Sequence, residues 1–363
     1  MITVCQVFGD YNYGGIARFV ADLSSRLKDN LQVTMLCRKA IRKPEEGLNL
    51  VELKPRNTVD LWRKLTRIGE FDIIHCHDVY ALPALVRNKG RKAKIVYTAH
   101  GIVPWRYSRA KDSLGWVLAY LCARYALPRV DLAIGMSDYI LGELQDRYKC
   151  RNIAKIPGGV DTKKFCMAVG QNSSLKLEGK PILLYVGLIE KHKGVKFLIH
   201  SMQHILKEFP DALLVLIGTG RDEKSLRQYV RRSGLEGKVI FLGFVEHNML
   251  TPYYNASDTH IEPAYCHGFG LPIIEAMACG KPVITRDAYA MREHILNSRA
   301  GVLFKRDDAK ELVNAIREII GNYEEYASSA RKYSENFDLS LMASEYVKKY
   351  IDLVNENGEE AKG

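Results

Sequence analysis

The sequence predicts an α/β protein built from two doubly wound, Rossmann-like domains, and three observations carry that reading. Short apolar runs alternate with amphipathic segments along the chain, the pattern of parallel strands joined by helices. Glycine-bearing turns follow several of those runs and open the next amphipathic segment. At 363 residues the chain is too long for one average core and suits two. The expected bounds are 1–165 for the first domain, 166–338 for the second, and 339–363 for a terminal helix with a polar tail. In such open sheets, ligands bind beyond the carboxyl ends of the strands.

Composition narrows the class. With 47% hydrophobic and 26% charged residues the chain reads as an ordinary soluble globular protein. Its 8 cysteines form no C-x-x-C pair, which favours reduced thiols in a cytoplasm over a disulfide framework. Residues 2–9 (ITVCQVFG) read as a buried strand and not as a leader peptide. The longest apolar run, Gly115 to Ala123, is too short to span a bilayer. Charge is unevenly spread: residues 1–165 hold 28 Lys and Arg against 16 Asp and Glu, and residues 166–363 hold 25 against 26. The excess therefore sits in the first half, which points that half at something anionic. Nucleic acid would account for the charge, but no recognition motif accompanies it.

Taken in order, strand 2–9 leads through Asp10-Tyr11-Asn12-Tyr13-Gly14-Gly15 into an amphipathic helix over 16–27. A glycine pair there lets backbone approach a phosphate, and it is not the G-x-G-x-x-G of a dinucleotide fold. Strand 31–37 ends at a basic loop with Arg38, Lys39, Arg42 and Lys43, and 58–69 reads as a helix. Strand 72–77 carries His75, Cys76 and His77. Alternation puts the two histidines on one side and the cysteine on the other, which argues against a zinc site. Strand 94–100 ends in His100-Gly101, where an open sheet presents functional groups. The next segment mixes Trp105, Arg106, Tyr107, Arg109 and Lys111 with an apolar stretch from Trp116. It suits either a membrane interface with acidic headgroups or a buried helix over 116–127 with a solvated basic flank. Strand 130–136 is followed by Ser137-Asp138, which cap a helix. Residues 153–165 end the first domain and the polar stretch 167–179 connects to the second.

The second domain opens with strand 181–187 and the loop Leu188 to Gly194. Strands follow at 212–217 and 238–242, the latter running into Gly243-Phe244-Val245. The stretch Ile261 to Ile284 then reads strand, glycine loop, helix, glycine stop, strand. Gly268-Phe269-Gly270 ends at Leu271-Pro272, a helix start, and the free amides of a helix N-terminus form an anion site. Glu275 lies in that helix, where a carboxylate could accept from sugar hydroxyls beside the anion. Helices are expected over 309–319, 322–333 and 339–354.

On the residues from Gly268 to Ile284 the chain resembles the retaining nucleotide-sugar glycosyltransferases of GT-B fold, glycosyltransferase family 4 or group 1. Their Glu–seven residues–Glu element lies in E-G-F-G-L-P-x-x-E-A-M-A-C-G-x-P-V-I. Glu275 takes the second glutamate's position and His267 stands at the first. The resemblance implies two domains facing a cleft, with the terminal helix crossing back to the first. It also implies donor contacts at Gly14, Gly15, Lys193, Phe244, Val245, Gly268, Phe269, Gly270, Leu271 and Glu275. His100 and His267 would lie near the transferred sugar, and Lys193 would neutralise the departing diphosphate. Two further departures are Leu188 where the family has arginine, which leaves Lys191 or His192 to help, and Gly158 where it has asparagine. The chain holds no Asp-x-Asp pair, so the expectation is transfer without metal or cofactor.

The implied activity is transfer of a hexose from a UDP- or GDP-sugar to an acceptor hydroxyl on a glycolipid or polysaccharide precursor. It would proceed in the cytoplasm, with an anionic membrane surface as a further partner and no nucleic acid. The alternative reading is a non-catalytic nucleotide-sugar-binding or membrane-associated scaffold of the same fold. A nucleotide-sugar 2-epimerase needs acidic residues around the sugar that this chain lacks.

Overall fold

Strands β1 (Thr3–Phe8), β2 (Gln32–Cys37), β3 (Asn49–Glu52), β4 (Ile73–Cys76), β5 (Lys94–Ala99), β6 (Leu132–Gly135) and β7 (Ile153–Lys155) form one all-parallel sheet. Their order is β3-β2-β1-β4-β5-β6-β7. The structure, a computed structural model, describes residues 1–12, 14–87, 92–101, 113–167, 177–266, 268–305 and 307–360. Helices α1 (Gly15–Leu27), α2 (Thr58–Leu65), α3 (Leu82–Arg87), α4 (Ser113–Ala126) and α5 (Asp138–Gly142) connect these strands. The caps follow the residue chemistry: Asn57 Oδ1 accepts from the Asp60 amide at 2.9 Å, and Ser137 Oγ from the Ile140 amide at 3.3 Å. The helix expected over 58–69 stops at Leu65, where the Thr66 hydroxyl turns back to the Arg63 carbonyl.

The second sheet comprises β8 (Ile182–Val186), β9 (Leu213–Ile217), β10 (Val239–Gly243), β11 (Thr259–Glu262), β12 (Val283–Arg286) and β13 (Gly301–Phe304). It is again all parallel, in the order β10-β9-β8-β11-β12-β13. Every residue of β8 (ILLYV) and β9 (LLVLI) is buried, as expected of parallel strands covered by helices on both faces. Those helices are α6 (Val195–Glu208), α7 (Glu223–Arg232), α8 (Thr251–Ala256), α9 (Leu271–Ala278), α10 (Tyr289–Ser298), α11 (Ala309–Gly321) and α12 (Tyr323–Ser334).

The chain divides into two units, Met1–Gly159 with Leu339–Gly363, and Val160–Asp338. The boundary expected at Phe165 lies inside the second unit. There the Val160 amide donates to the Phe337 carbonyl at 2.8 Å, and Phe165 packs edge-on against His247 and Tyr254. The terminal helix α13 (Leu339–Glu360) counts with the first unit, where it packs on α1 and buries Tyr346 and Tyr350. In both sheets the strand order changes direction beside the first strand in sequence, between β1 and β4 and between β8 and β11. Those are the crevices where an open α/β sheet takes ligand.

Candidate active site

In the second unit the loops leaving β8 and β11 meet. The Tyr265 amide donates to the His192 carbonyl at 2.9 Å. Gly194 caps α6 at φ +70°, and a Cβ there would stand 2.1 Å from the Pro263 carbonyl oxygen. Only glycine allows this approach. It seats Lys193, at the end of a 3-10 turn over Lys191–Lys193, within electrostatic reach of Glu262. Glu262 is fully buried; burial pushes its carboxyl up to about 7, against the pull of Lys193 and a bond from the Ala264 amide. Burial, with Lys193 adding to it, pushes His192 down to about 4. At neutral pH His192 is therefore uncharged and does not replace the cation missing at Leu188, whose side chain is largely exposed.

Gly268, Phe269 and Gly270 lead into α9. Gly270 is its N-cap at φ +92°, ψ +56°, Leu271 is the first helical residue, and Pro272 sits where a missing amide loses nothing. The Phe269 ring is buried against His294, and its carbonyl accepts from His294 Nε2 at 2.8 Å. The far nitrogen of His294 lies 3.3 Å from the Tyr333 hydroxyl. α10 and α12 thus fix the loop. In the first turn of α9 Pro272 has no amide and the Ile273 amide donates to the Gly270 carbonyl at 2.9 Å, so Leu271 is the first-turn amide at the helix start without a carbonyl one turn back.

Glu275 is 6% exposed on this helix. Its Oε1 lies 2.8 Å from His247 Nε2, and its Oε2 accepts from the Tyr254 hydroxyl at 2.8 Å. Burial alone would raise the carboxyl, but the His247 imidazole, the two hydrogen bonds and His260 together hold it below its ordinary value. A carboxylate offers about four lone-pair sites, so an ionised Glu275 keeps capacity for further donors. Phe244 and Val245 follow β10 at the sheet edge, with Phe244 exposed; the same turn carries His247 to Glu275. His267 lies outside the described residues.

In the first unit, α1 begins at Gly15 with Gly14 as N-cap, and the Gly14 amide donates to Asn12 Oδ1 at 2.7 Å. A Cβ at Gly15 would meet nothing within 4 Å, so packing does not explain that glycine. Arg18 is drawn into ion pairs with Asp22 at 2.7 Å and Glu45 at 3.6 Å. The Phe19 ring of the same helix stands edge-on to His100 with centroids 4.8 Å apart. That contact joins the α1 start to the end of β5. His100 is bonded through Nε2 to His77 Nδ1 at 2.8 Å, and burial pushes it down to about 3, so it is neutral.

The basic aromatic residues Trp105, Arg106, Tyr107, Arg109 and Lys111 lie outside the described residues. The helix that follows them is not buried as a whole: α4 leaves Val117, Leu118, Leu121 and Tyr125 exposed. Leu118, Leu121 and Tyr125, with Trp62 and Val59 of α2, line an apolar groove of about 730 Å³, edged by Arg63 and Arg87. Among the described residues no helix is long and apolar enough to cross a membrane.

Sequence reasoning missed His247, Tyr254, His294 and Glu262. The three partners of the loop and of Glu275 lie on other elements, and no local spacing connects them. Glu262 ends the strand at the start of the Ile261–Ile284 stretch, and its burial comes from packing that local spacing does not show.

The family model described as "Glycosyl transferases group 1" matches residues 170–337, and that described as "Glycosyltransferase Family 4" matches residues 13–164. A lipopolysaccharide core biosynthesis mannosyltransferase of Rhizobium meliloti is 28% identical over 333 residues, covering 87% of this chain and 89% of that one. Sucrose-phosphate synthase from Thermosynechococcus elongatus superposes with a TM-score of 0.83 at 22% identity, over 98% of this chain and 100% of that one. An Anabaena protein solved in complex with UDP-glucose gives 0.78 at 18% identity, over 97% and 100%. The two structural likenesses bear on the fold, which is GT-B.

Proposed function

The chain belongs to the glycosyltransferases, matching Family 4 in its first part and group 1 in its second, and from that premise we propose that it transfers a hexose from a UDP- or GDP-sugar to an acceptor hydroxyl with retention of configuration. The observation that carries this reading is that the loops leaving β8 and β11 meet: the Tyr265 amide donates to the His192 carbonyl beside Lys193, and the same β11 loop runs on into α9, where Glu275 is held below its ordinary value. In the reaction the bond from C1 to the diphosphate oxygen breaks with its electron pair on the leaving group. The acceptor oxygen bonds to C1 on the same face, and its proton passes to the departing diphosphate oxygen. Lys193 and the Leu271 amide at the start of α9 stabilise the diphosphate as its charge grows. Glu275 accepts from the ribose hydroxyls, and Phe244 and Val245 meet the base through their backbone. His100 and His267 contact the sugar. The absence of an Asp-x-Asp pair from the sequence supports leaving-group stabilisation by this cation and amide without metal.

The acceptor in this reading is a glycolipid or polysaccharide precursor, met in the cytoplasm at the inner face of a membrane. Support comes from the exposed apolar groove on α2 and α4, its arginine edge, and the excess of cations in residues 1–165. Sedimentation with anionic and neutral vesicles tests it: salt-sensitive binding to the anionic ones alone is expected.

The departures at Leu188 and His267 favour one competing reading, a binder that holds nucleotide sugar without transferring it. A histidine brings no fixed negative charge to a cationic centre, and a leucine gives no donor to a phosphate. Release of free UDP or GDP on adding acceptor, with the anomeric configuration of the product read by NMR, separates the two. Binding with no release, across acceptors, would favour the binder; an inverted product would refute retention.

A further inference from the structure

A continuous chain of hydrogen bonds runs inside the first unit from His100 to α13. His100 Nε2 lies 2.8 Å from His77 Nδ1, and His77 Nε2 lies 2.7 Å from Gln6 Oε1. Gln6 Nε2 donates to the Tyr350 hydroxyl at 3.3 Å, and that hydroxyl lies 2.6 Å from His75 Nδ1. His75 Nε2 is 2.7 Å from Thr98 Oγ1, which is 2.9 Å from the Tyr346 hydroxyl. Gln6, His75, Thr98, Tyr346 and Tyr350 are fully buried and His77 nearly so.

With the Gln6 amide oriented Oε1 to His77 and Nε2 to Tyr350, the proton positions follow from the donor inventory. Burial holds His75 and His77 well below the ordinary histidine range, so each ring is neutral with one N–H. Gln6 Oε1 can only accept, so the His77 proton sits on Nε2. His77 Nδ1 must then accept, which requires the proton of His100 on its Nε2. On the other side, Gln6 Nε2 only donates, so the Tyr350 hydroxyl spends its own proton on His75 Nδ1. The His75 proton is then on Nε2, facing Thr98, and Thr98 donates to Tyr346. Turning the Gln6 amide over would reverse every bond in the chain and move the His100 proton to Nδ1.

We propose that Gln6 and Tyr350 are positioning residues that fix the tautomer of His100, leaving its Nδ1 unprotonated as an acceptor for a ligand hydroxyl. The helix that returns to the first unit at the end of the chain thereby sets the hydrogen-bonding character of a residue at the end of β5. The role of Nδ1 toward a substrate rests on the reading that His100 contacts the sugar. The tautomer itself does not.

Long-range ¹H–¹⁵N correlation spectra of protein labelled at histidine read the tautomer without any ligand, with His100→Gln identifying the His100 signals. The expected result is a single Nε2–H tautomer for His100 in the wild type. Tyr350→Phe removes both the acceptor for Gln6 Nε2 and the donor to His75, so signals of both His100 tautomers are expected. Gln6→Met, which removes the amide altogether, gives a second route if Tyr350→Phe does not fold. Tyr346→Phe deletes only the end of the chain and leaves the tautomer unchanged. In turnover, Tyr350→Phe lowers kcat by roughly tenfold or more, with the KM for the donor little altered. Nδ1–H on His100 in the wild type, or an unchanged tautomer in both Tyr350→Phe and Gln6→Met, would overturn the proposal. A wild type with the expected tautomer but no transfer activity would count against the transferase reading and leave the tautomer assignment standing.

Discussion

His247 Nε2 lies 2.8 Å from one oxygen of Glu275 while the Tyr254 hydroxyl donates to the other at the same distance. The carboxylate is therefore ionised and oriented by the protein before any ligand arrives, the preorganisation that makes a buried acceptor useful. Because its folded carboxyl is held below the ordinary 4.5, it contributes stability that is present above that pH and lost as pH falls through the folded value. The Tm advantage of wild type over Glu275→Gln is expected to hold at pH 6–7 and to shrink below pH 4.5. Glu275→Ala leaves the buried Tyr254 hydroxyl without its acceptor, a loss of about 1–3 kcal/mol in urea unfolding.

Glu262 titrates with the opposite sign. Its carboxyl is raised to about 7 by burial, so the folded state holds a proton that the unfolded state has already released. Stability contributed by this residue falls as pH rises from 4.5 to 7. Glu262→Gln is expected to raise Tm at pH 8 relative to wild type, with no difference below pH 4.5. A constant difference across that range would show that Lys193 holds Glu262 ionised throughout.

Two glycines separate packing from ligand approach. Gly194→Ala forces a Cβ within 2.1 Å of a backbone oxygen at φ +70°, so a loss of more than about 2 kcal/mol is expected in denaturant unfolding. Gly15→Ala meets open space at a helix start, so its stability is expected to stay within about 1 kcal/mol of wild type. Any fall in nucleotide-sugar affinity in Gly15→Ala then reports on ligand approach, as calorimetric titration would show.

His294→Leu removes the donor to the Phe269 carbonyl and loosens the loop before α9. The expected stability change is about 1 kcal/mol. A larger effect is expected on donor binding, with Kd weakened roughly tenfold because a fixed loop must now be ordered on binding.

Much of this was legible in the sequence because strand, glycine loop and helix are local patterns. Ile261 to Ile284 showed its turn, its Pro272 start and its Gly280 stop within one window. β3 and α3 were not read, because four and six residues hold too few repeats to show a period. His75 and His77 were correctly put on one side of their strand; their ring centroids are 4.0 Å apart. What the sequence could not show is that Tyr346 and Tyr350, on an amphipathic face far along the chain, supply hydroxyls to that side. The partners of Glu275 stayed hidden for the same reason: His247 and Tyr254 are brought to it by packing and not by spacing.

The central claim is best tested by thermal-shift measurements of the pure protein against UDP, GDP, ADP and their hexose conjugates, in wild type and Glu275→Ala. Selective binding to the folded state raises Tm by an amount set by concentration over Kd. The account predicts a clear rise with one nucleotide and its hexose conjugate, lost in Glu275→Ala. No rise with any of them would contradict a nucleotide-sugar site at the β8–β11 crevice.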